Sequence, residues 1–306
     1  MRFSIQFPTD RVDAGPEFCS QEAIAQMARQ TENSGFHACY VTDHPFPTDD
    51  WLDSGGHHAM DPLVSLSAVA MATSHLRLHT NILVLPYRNP FITAKAIASL
   101  DVISGGRVIM GIAAGYLRGE YLALGADFDA RSERVDEALF AIKKAWNGET
   151  VKLKGHDYEV TGNTMLPRPL QQPHPPIWVG GNSQLAMRRV AELADGWSPF
   201  PVAARTGQRM NAATLDTLAA LARKIGYLRS HADRIGRTRP IDICFTPFGH
   251  GMNSRQPLEP ERFLEQVAAL EALGVNYLAI GMYANSRAHY CEWVDWFGSE
   301  VMAKLK

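Results

Sequence analysis

Cysteine is scarce in this chain: four in 306 residues, at positions 19, 39, 244 and 291, with no CxxC pair. That spacing speaks against a disulfide framework and against a cysteine-based zinc site, and it fits a reducing cytoplasm. Neither sign of charge dominates, with 30 Lys and Arg against 32 Asp and Glu. A net charge of -2 argues against nucleic acid or an anionic membrane as the main partner. No run of about eighteen consecutive apolar residues could span a bilayer. The start, Met1-Arg2-Phe3-Ser4-Ile5, enters a strand-like run and lacks the charged and apolar blocks of a secretory signal. No GxGxxG follows that first run, and no HxH or HExxH occurs, so the usual dinucleotide and zinc-protease signatures are missing. No metal site is expected.

What is present is a large apolar fraction, 46% of residues, with 20% charged. That is ample for a packed core, and it excludes disorder, collagen and coiled coil. One pattern recurs along the chain. An amphipathic helical stretch ends in glycine, and a short apolar run follows at once, around Gly35, Gly105-Gly106, Gly196 and Gly274. Glycine there supplies a left-handed helix cap, and the run behind it reads as a strand buried on both faces. Asp61-Pro62, Asn89-Pro90 and Ser183 carry the opposite signal, a capping side chain at a helix start.

Strands are expected at 3–7, 38–42, 78–84, 108–112, 177–180, 196–198, 241–246 and 277–280. Eight strands alternating with helices over about 300 residues are the arithmetic of a (β/α)8 barrel. A doubly wound open sheet is the runner-up. Residues 1–306 are read as one such domain with two insertions, a polar loop at 45–60 and a hairpin with a proline-rich connector at 150–176.

In such a barrel, ligands meet the carboxyl ends of the strands and the loops behind them. Asp43-His44 follow the second expected strand, and an imidazole beside a carboxylate suits proton exchange near neutral pH. The run Gly180-Gly181-Asn182-Ser183 lies between a strand and a helix, where free N–H groups and the helix dipole suit an anion such as phosphate. Trp51, Tyr87, Tyr116 and Trp197 sit in the same loops and form an aromatic set for an apolar or planar substrate. His57-His58 read as part of an exposed polar loop that touches substrate, not as metal ligands. Arg134 and Glu137, three apart on one helix, read as a surface pair.

Several stretches together resemble the luciferase-like flavin and deazaflavin oxidoreductases. They are Tyr40-Val41-Thr42-Asp43-His44, Asp61-Pro62-Leu63-Val64, Asn81-Ile82-Leu83-Val84-Leu85-Pro86-Tyr87-Arg88-Asn89-Pro90, Leu100-Asp101-Val102-Ile103-Ser104-Gly105-Gly106-Arg107, Gly111-Ile112-Ala113-Ala114-Gly115-Tyr116-Leu117 and Pro176-Ile177-Trp178-Val179-Gly180-Gly181-Asn182-Ser183. The closest likeness is to the subfamily described as dependent on coenzyme F420, a deazaflavin. The resemblance implies a TIM barrel that binds FMN or coenzyme F420 at its carboxyl face. Asn81-Ile82-Leu83 would back the ring across a cis peptide bond at Asn81-Ile82, Ala114-Gly115-Tyr116 would line it, and the turn 180–183 would hold its phosphate. His44 would be the catalytic acid/base. The family's usual Gly-x-Gly-Trp reads Ala113-Ala114-Gly115-Tyr116 here, a departure that bears on substrate shape.

Three functions follow. The first is hydride transfer between the bound cofactor and a small organic substrate, with Asp43 orienting His44 or bonding to the cofactor. The second is an FMN-dependent monooxygenase using O2 and reduced flavin from a separate reductase, and the third is a non-catalytic flavin-binding protein. The resemblance also suggests a homodimer.

Overall fold

Eight parallel strands close on themselves in the computed structural model, which describes residues 1–203 and 213–305. Chain order gives β1 (Arg2–Gln6), β2 (Ala38–Val41), β3 (Arg77–Thr80), β4 (Leu83–Val84), β5 (Val108–Ala113), β6 (Val151–Lys154) and β7 (Glu159–Asn163). They are followed by β8 (Ile177–Gly180), β9 (Gly196–Ser198), β10 (Asp242–Phe245) and β11 (Tyr277–Ile280). The wall runs β1-β2-β3-β5-β8-β9-β10-β11 and returns to β1, every pairing parallel. This is the TIM barrel expected from the alternation of strands and helices.

The strands are apolar on both faces because both faces are covered. Tyr40, Ile109, Trp178, Cys244, Tyr277 and Ala279 form one buried cluster. Their chain neighbours Cys39, Val108, Val179, Phe245 and Leu278 belong to a second, much larger one. Alternate residues of a strand point to opposite sides, so the first cluster fills the barrel and the second lies between barrel and helices. The helices begin where capping chemistry said they would. Asp61 accepts from the Leu63 and Val64 amides, Asn89 from Phe91, and Ser183 from Ala186.

Two expectations need correction. Gly105 caps its helix with φ +70°, but Gly196 is no helix cap. It opens β9, where a Cβ would strike the Trp178 ring. The third wall strand is also not continuous over 78–84. It stops at Thr80 and resumes at Leu83, with a cis peptide at Asn81–Ile82 between the two pieces. β3 pairs with both β2 and β5, whereas β4 pairs with β5.

Of the insertions, 45–60 contains the short helix Asp49–Asp53, and 150–176 contains the antiparallel hairpin β6–β7. Arg134 and Glu137 do not pair with each other. Arg134 binds Asp157 and Glu137 binds His156, so the helix Arg131–Trp146 holds the turn of the hairpin. No helix among the described residues is long and apolar enough to cross a membrane.

Candidate active site

Asp43 and His44 are adjacent where the chain leaves β2, and their side chains take different partners. Asp43 is buried, its Oδ2 accepting from the Val84 N–H at 2.9 Å and its Oδ1 from Arg88 at 2.7 Å. Burial pushes its carboxyl above the ordinary range, while the Arg88 charge and the Val84 amide pull it back. The same guanidinium lies 3.7 Å from Asp61, whose carboxylate caps the helix Pro62–Ala72. Asp43 therefore ties the loop behind β2 to β4. Its hydrogen bonds do not orient His44.

That task falls to Glu120, a residue the sequence pattern did not single out. His44 Nδ1 is 3.3 Å from Glu120 Oε2, the Tyr87 hydroxyl donates to the same oxygen at 3.0 Å, and the Phe46 N–H donates to Oε1 at 3.2 Å. Glu120 has 0% exposure, carried inward on the short helix Arg118–Ala123. An imidazole nitrogen against a carboxylate holds a proton there, which leaves Nε2 as the exchangeable position. Burial pushes the Tyr87 phenol well above its ordinary range, and Glu120 adds to the shift, so Tyr87 stays a donor.

Aromatic rings gather around this pair. Trp51 lies over His44 with centroids 4.4 Å apart, and His57 meets His44 edge-on at 4.9 Å. The Tyr116 phenol is also pushed up, first by burial and then by the Glu120 charge, with Trp51 opposing through a hydrogen bond. Trp51 packs on His44, Tyr87 binds Glu120, and Tyr116 feels the Glu120 charge.

Trp197 does not join them. It is fully buried, and its Nε1 donates to the Gly181 carbonyl at 2.8 Å, so it supports the turn 180–183 and has no face open to substrate. Asn182 is likewise committed. Its amide nitrogen donates to the Phe200 and Ala213 carbonyls, and its oxygen accepts from the Phe200 N–H. Lys224, also missed in the sequence, donates to the Asn182 carbonyl at 2.7 Å, and burial lowers the pKa of its ammonium. Gly181 has φ +101° with only Ala186 Cβ near its absent side chain, and Ser183 caps the helix Gln184–Leu193. The first amides of that helix have no intrahelical partner.

The glycines at the barrel mouth serve β4 and the residues before it. A Cβ at Gly180 would lie 2.5 Å from Ile82 Cδ1, and one at Gly115 (φ +69°) would lie 2.6 Å from Val84 Cγ1. Leu83 is fully buried, Asn81 accepts from the Ser198 hydroxyl at 3.4 Å, and the Ala114 carbonyl accepts from Tyr121. Among the described residues no group of three or more His, Cys, Asp or Glu is placed to hold a metal ion.

The family model described as luciferase-like monooxygenase matches residues 1–244. The oxygenase component of a flavin-dependent trigonelline monooxygenase from Acinetobacter baylyi is 32% identical over 188 residues, which cover 58% of this chain and 48% of that protein. An FMNH2-dependent dimethylsulfone monooxygenase from Pseudomonas putida is 24% identical over 92% of this chain and 87% of its own length. An F420-dependent glucose-6-phosphate dehydrogenase from Amycolatopsis mediterranei is 26% identical over 80% and 78%. Among solved structures, monooxygenase RslO1 from Streptomyces bottropensis superposes over 100% of both chains with a TM-score of 0.75 at 20% identity, which speaks to the fold.

Proposed function

We propose that this chain, which belongs to the luciferase-like monooxygenase family and is an enzyme of that family, is an oxidoreductase using bound coenzyme F420 or FMN on a small organic substrate. The observation that carries the reading is the buried Glu120 carboxylate against His44 at the carboxyl ends of the strands. When bound, the cofactor supplies a ring that accepts or donates hydride. His44, held by Glu120 and covered by Trp51, exchanges the accompanying proton through Nε2.

The residues fit the group. The turn 180–183 combines a positive-φ glycine, an open helix amino end and the nearby Lys224 ammonium, a set of donors suited to phosphate. Ile82 and Val84 fill the space that side chains at Gly180 and Gly115 would take, and they would offer a bound ring a packed apolar backing. Tyr116 and Trp51 would border the substrate.

A second reading, reduced FMN with O2 and a separate reductase, is favoured by the flavin-dependent monooxygenase activities of the trigonelline and dimethylsulfone relatives. Fluorescence titration of the purified protein with FMN and with coenzyme F420 tests cofactor choice. Turnover that persists without oxygen supports hydride transfer, and turnover that requires oxygen supports the second reading. Failure to bind either cofactor would overturn both. A cytoplasmic homodimer belongs to the same proposal. Val64 and Met71 on one helix, and Ile92 and Ile103 on the helix packed beside it, are 54 to 78% exposed.

A further inference from the structure

The loop 45–60 brings a second imidazole to His44, and none of the site's functions described so far uses it. His57 meets the His44 ring edge-on, centroids 4.9 Å apart and planes at 88°, and Trp51 packs on both rings. Each imidazole has one nitrogen fixed. His57 Nδ1 is 2.8 Å from the His58 carbonyl, an acceptor that requires an N–H there. His44 Nδ1 faces Glu120 in the same way. Both rings are therefore poised to gain or lose a proton at Nε2, and at this separation a charge on one disfavours a charge on the other.

We infer that the acid/base of this site is the His44–His57 pair acting as one unit that takes up a single proton, with Glu120 assigning that proton to His44. The inference rests on the reading of His44 as the proton-exchanging group. The charged and titratable groups facing the pair are Glu120 beside His44, and His44, Asp10 and Glu120 around His57. Burial lowers the pKa of the His57 imidazole and the His44 charge lowers it further, while the His58 carbonyl, Asp10 and Glu120 oppose. Of the two rings, His57 is the one whose charged form its surroundings disfavour. Its lone pair stays available beside the proton on His44, which is what a group relaying that proton towards the exposed end of the loop requires.

The test is an NMR titration of the imidazole Cε1–H resonances in the full-length protein without added cofactor. In the wild type, His57 titrates below the ordinary histidine range. In His44→Gln, with the neighbouring charge gone, its midpoint rises by about one pH unit, a tenfold change in proton affinity. His44→Asn provides the same reading should the glutamine variant fold poorly, and His58→Gln, on an exposed side chain, leaves the midpoint in place. A His57 midpoint that is the same in wild type and in the His44 variants overturns the pair. Turnover is a separate measurement. Should the His44 variants keep full activity, the reading of His44 fails while the coupling stands, and the two failures are distinguishable.

Discussion

At the scale of single residues, neighbours in sequence have exchanged the roles their order implied. A carboxylate beside a histidine reads as its orienting partner, yet Asp43 serves Val84 and Arg88, and the carboxylate at His44 comes from 76 positions away. His44→Ala should lower turnover by about 10²–10⁴-fold at saturating cofactor. Glu120→Gln, which keeps the shape but removes the charge and turns one accepting oxygen into a donating amide, should lower it by about tenfold with cofactor affinity nearly unchanged. Single-turnover rates for the two variants check both, and an unchanged rate in either removes that residue from the proton step. His79 makes a different prediction. It is fully buried inside the barrel beside Ser4 and Trp178, and burial lowers its pKa from 6.5 to about 3. Below pH 6.5 the unfolded chain binds a proton that the native chain refuses, so stability falls as pH drops from 6.5 towards 3. The slope from this group is about 1.4 kcal/mol per pH unit. Urea midpoints from pH 7 to pH 4 should therefore fall less steeply in His79→Gln than in the wild type.

At the scale of elements, periodicity and capping residues carried most of the information. A strand covered on both faces announces itself as an apolar run, and Asp61, Asn89 and Ser183 cap where a helix must begin. Tertiary contacts were silent in that pattern. Glu120 sits on a six-residue helix too short for a periodic signal, and its partners lie on two other loops. Asn182 and Trp197 looked available because both sit at strand ends, but residues 200 and 213 draw Asn182 inward and Trp197 packs beneath the turn. The turn itself can be tested. Gly181 at φ +101° tolerates no β-branched side chain without strain. Gly181→Val should weaken binding of FMN or coenzyme F420 by at least about tenfold, read by fluorescence titration. Unchanged affinity in a folded variant would place the phosphate elsewhere.

At the scale of the whole molecule, the barrel's closure was readable from the count of strands, whereas its third strand's break was not visible as a change of composition: Leu78 and Val84 are equally apolar and both buried. The outer surface offers the test of assembly. Val64 and Met71 are seven residues apart and Ile92 and Ile103 eleven, so each pair shares a helix face. The wild type should run at twice the chain mass of 33.8 kDa in light scattering, and Met71→Lys with Ile92→Lys should return it to one. A wild type at single-chain mass would overturn the dimer.

The break in the third strand has a kinetic meaning. At Val84 the hydrogen-bond acceptor is not a neighbouring strand's carbonyl but the side chain of Asp43, anchored in turn by Arg88. A carbonyl keeps its accepting power at any pH, whereas a carboxylate loses much of it on protonation. Solvent exchange of the Val84 amide is thereby linked to a side-chain charge, and that one deuterium-exchange rate reports from inside the wall whether the loop beneath His44 is still latched.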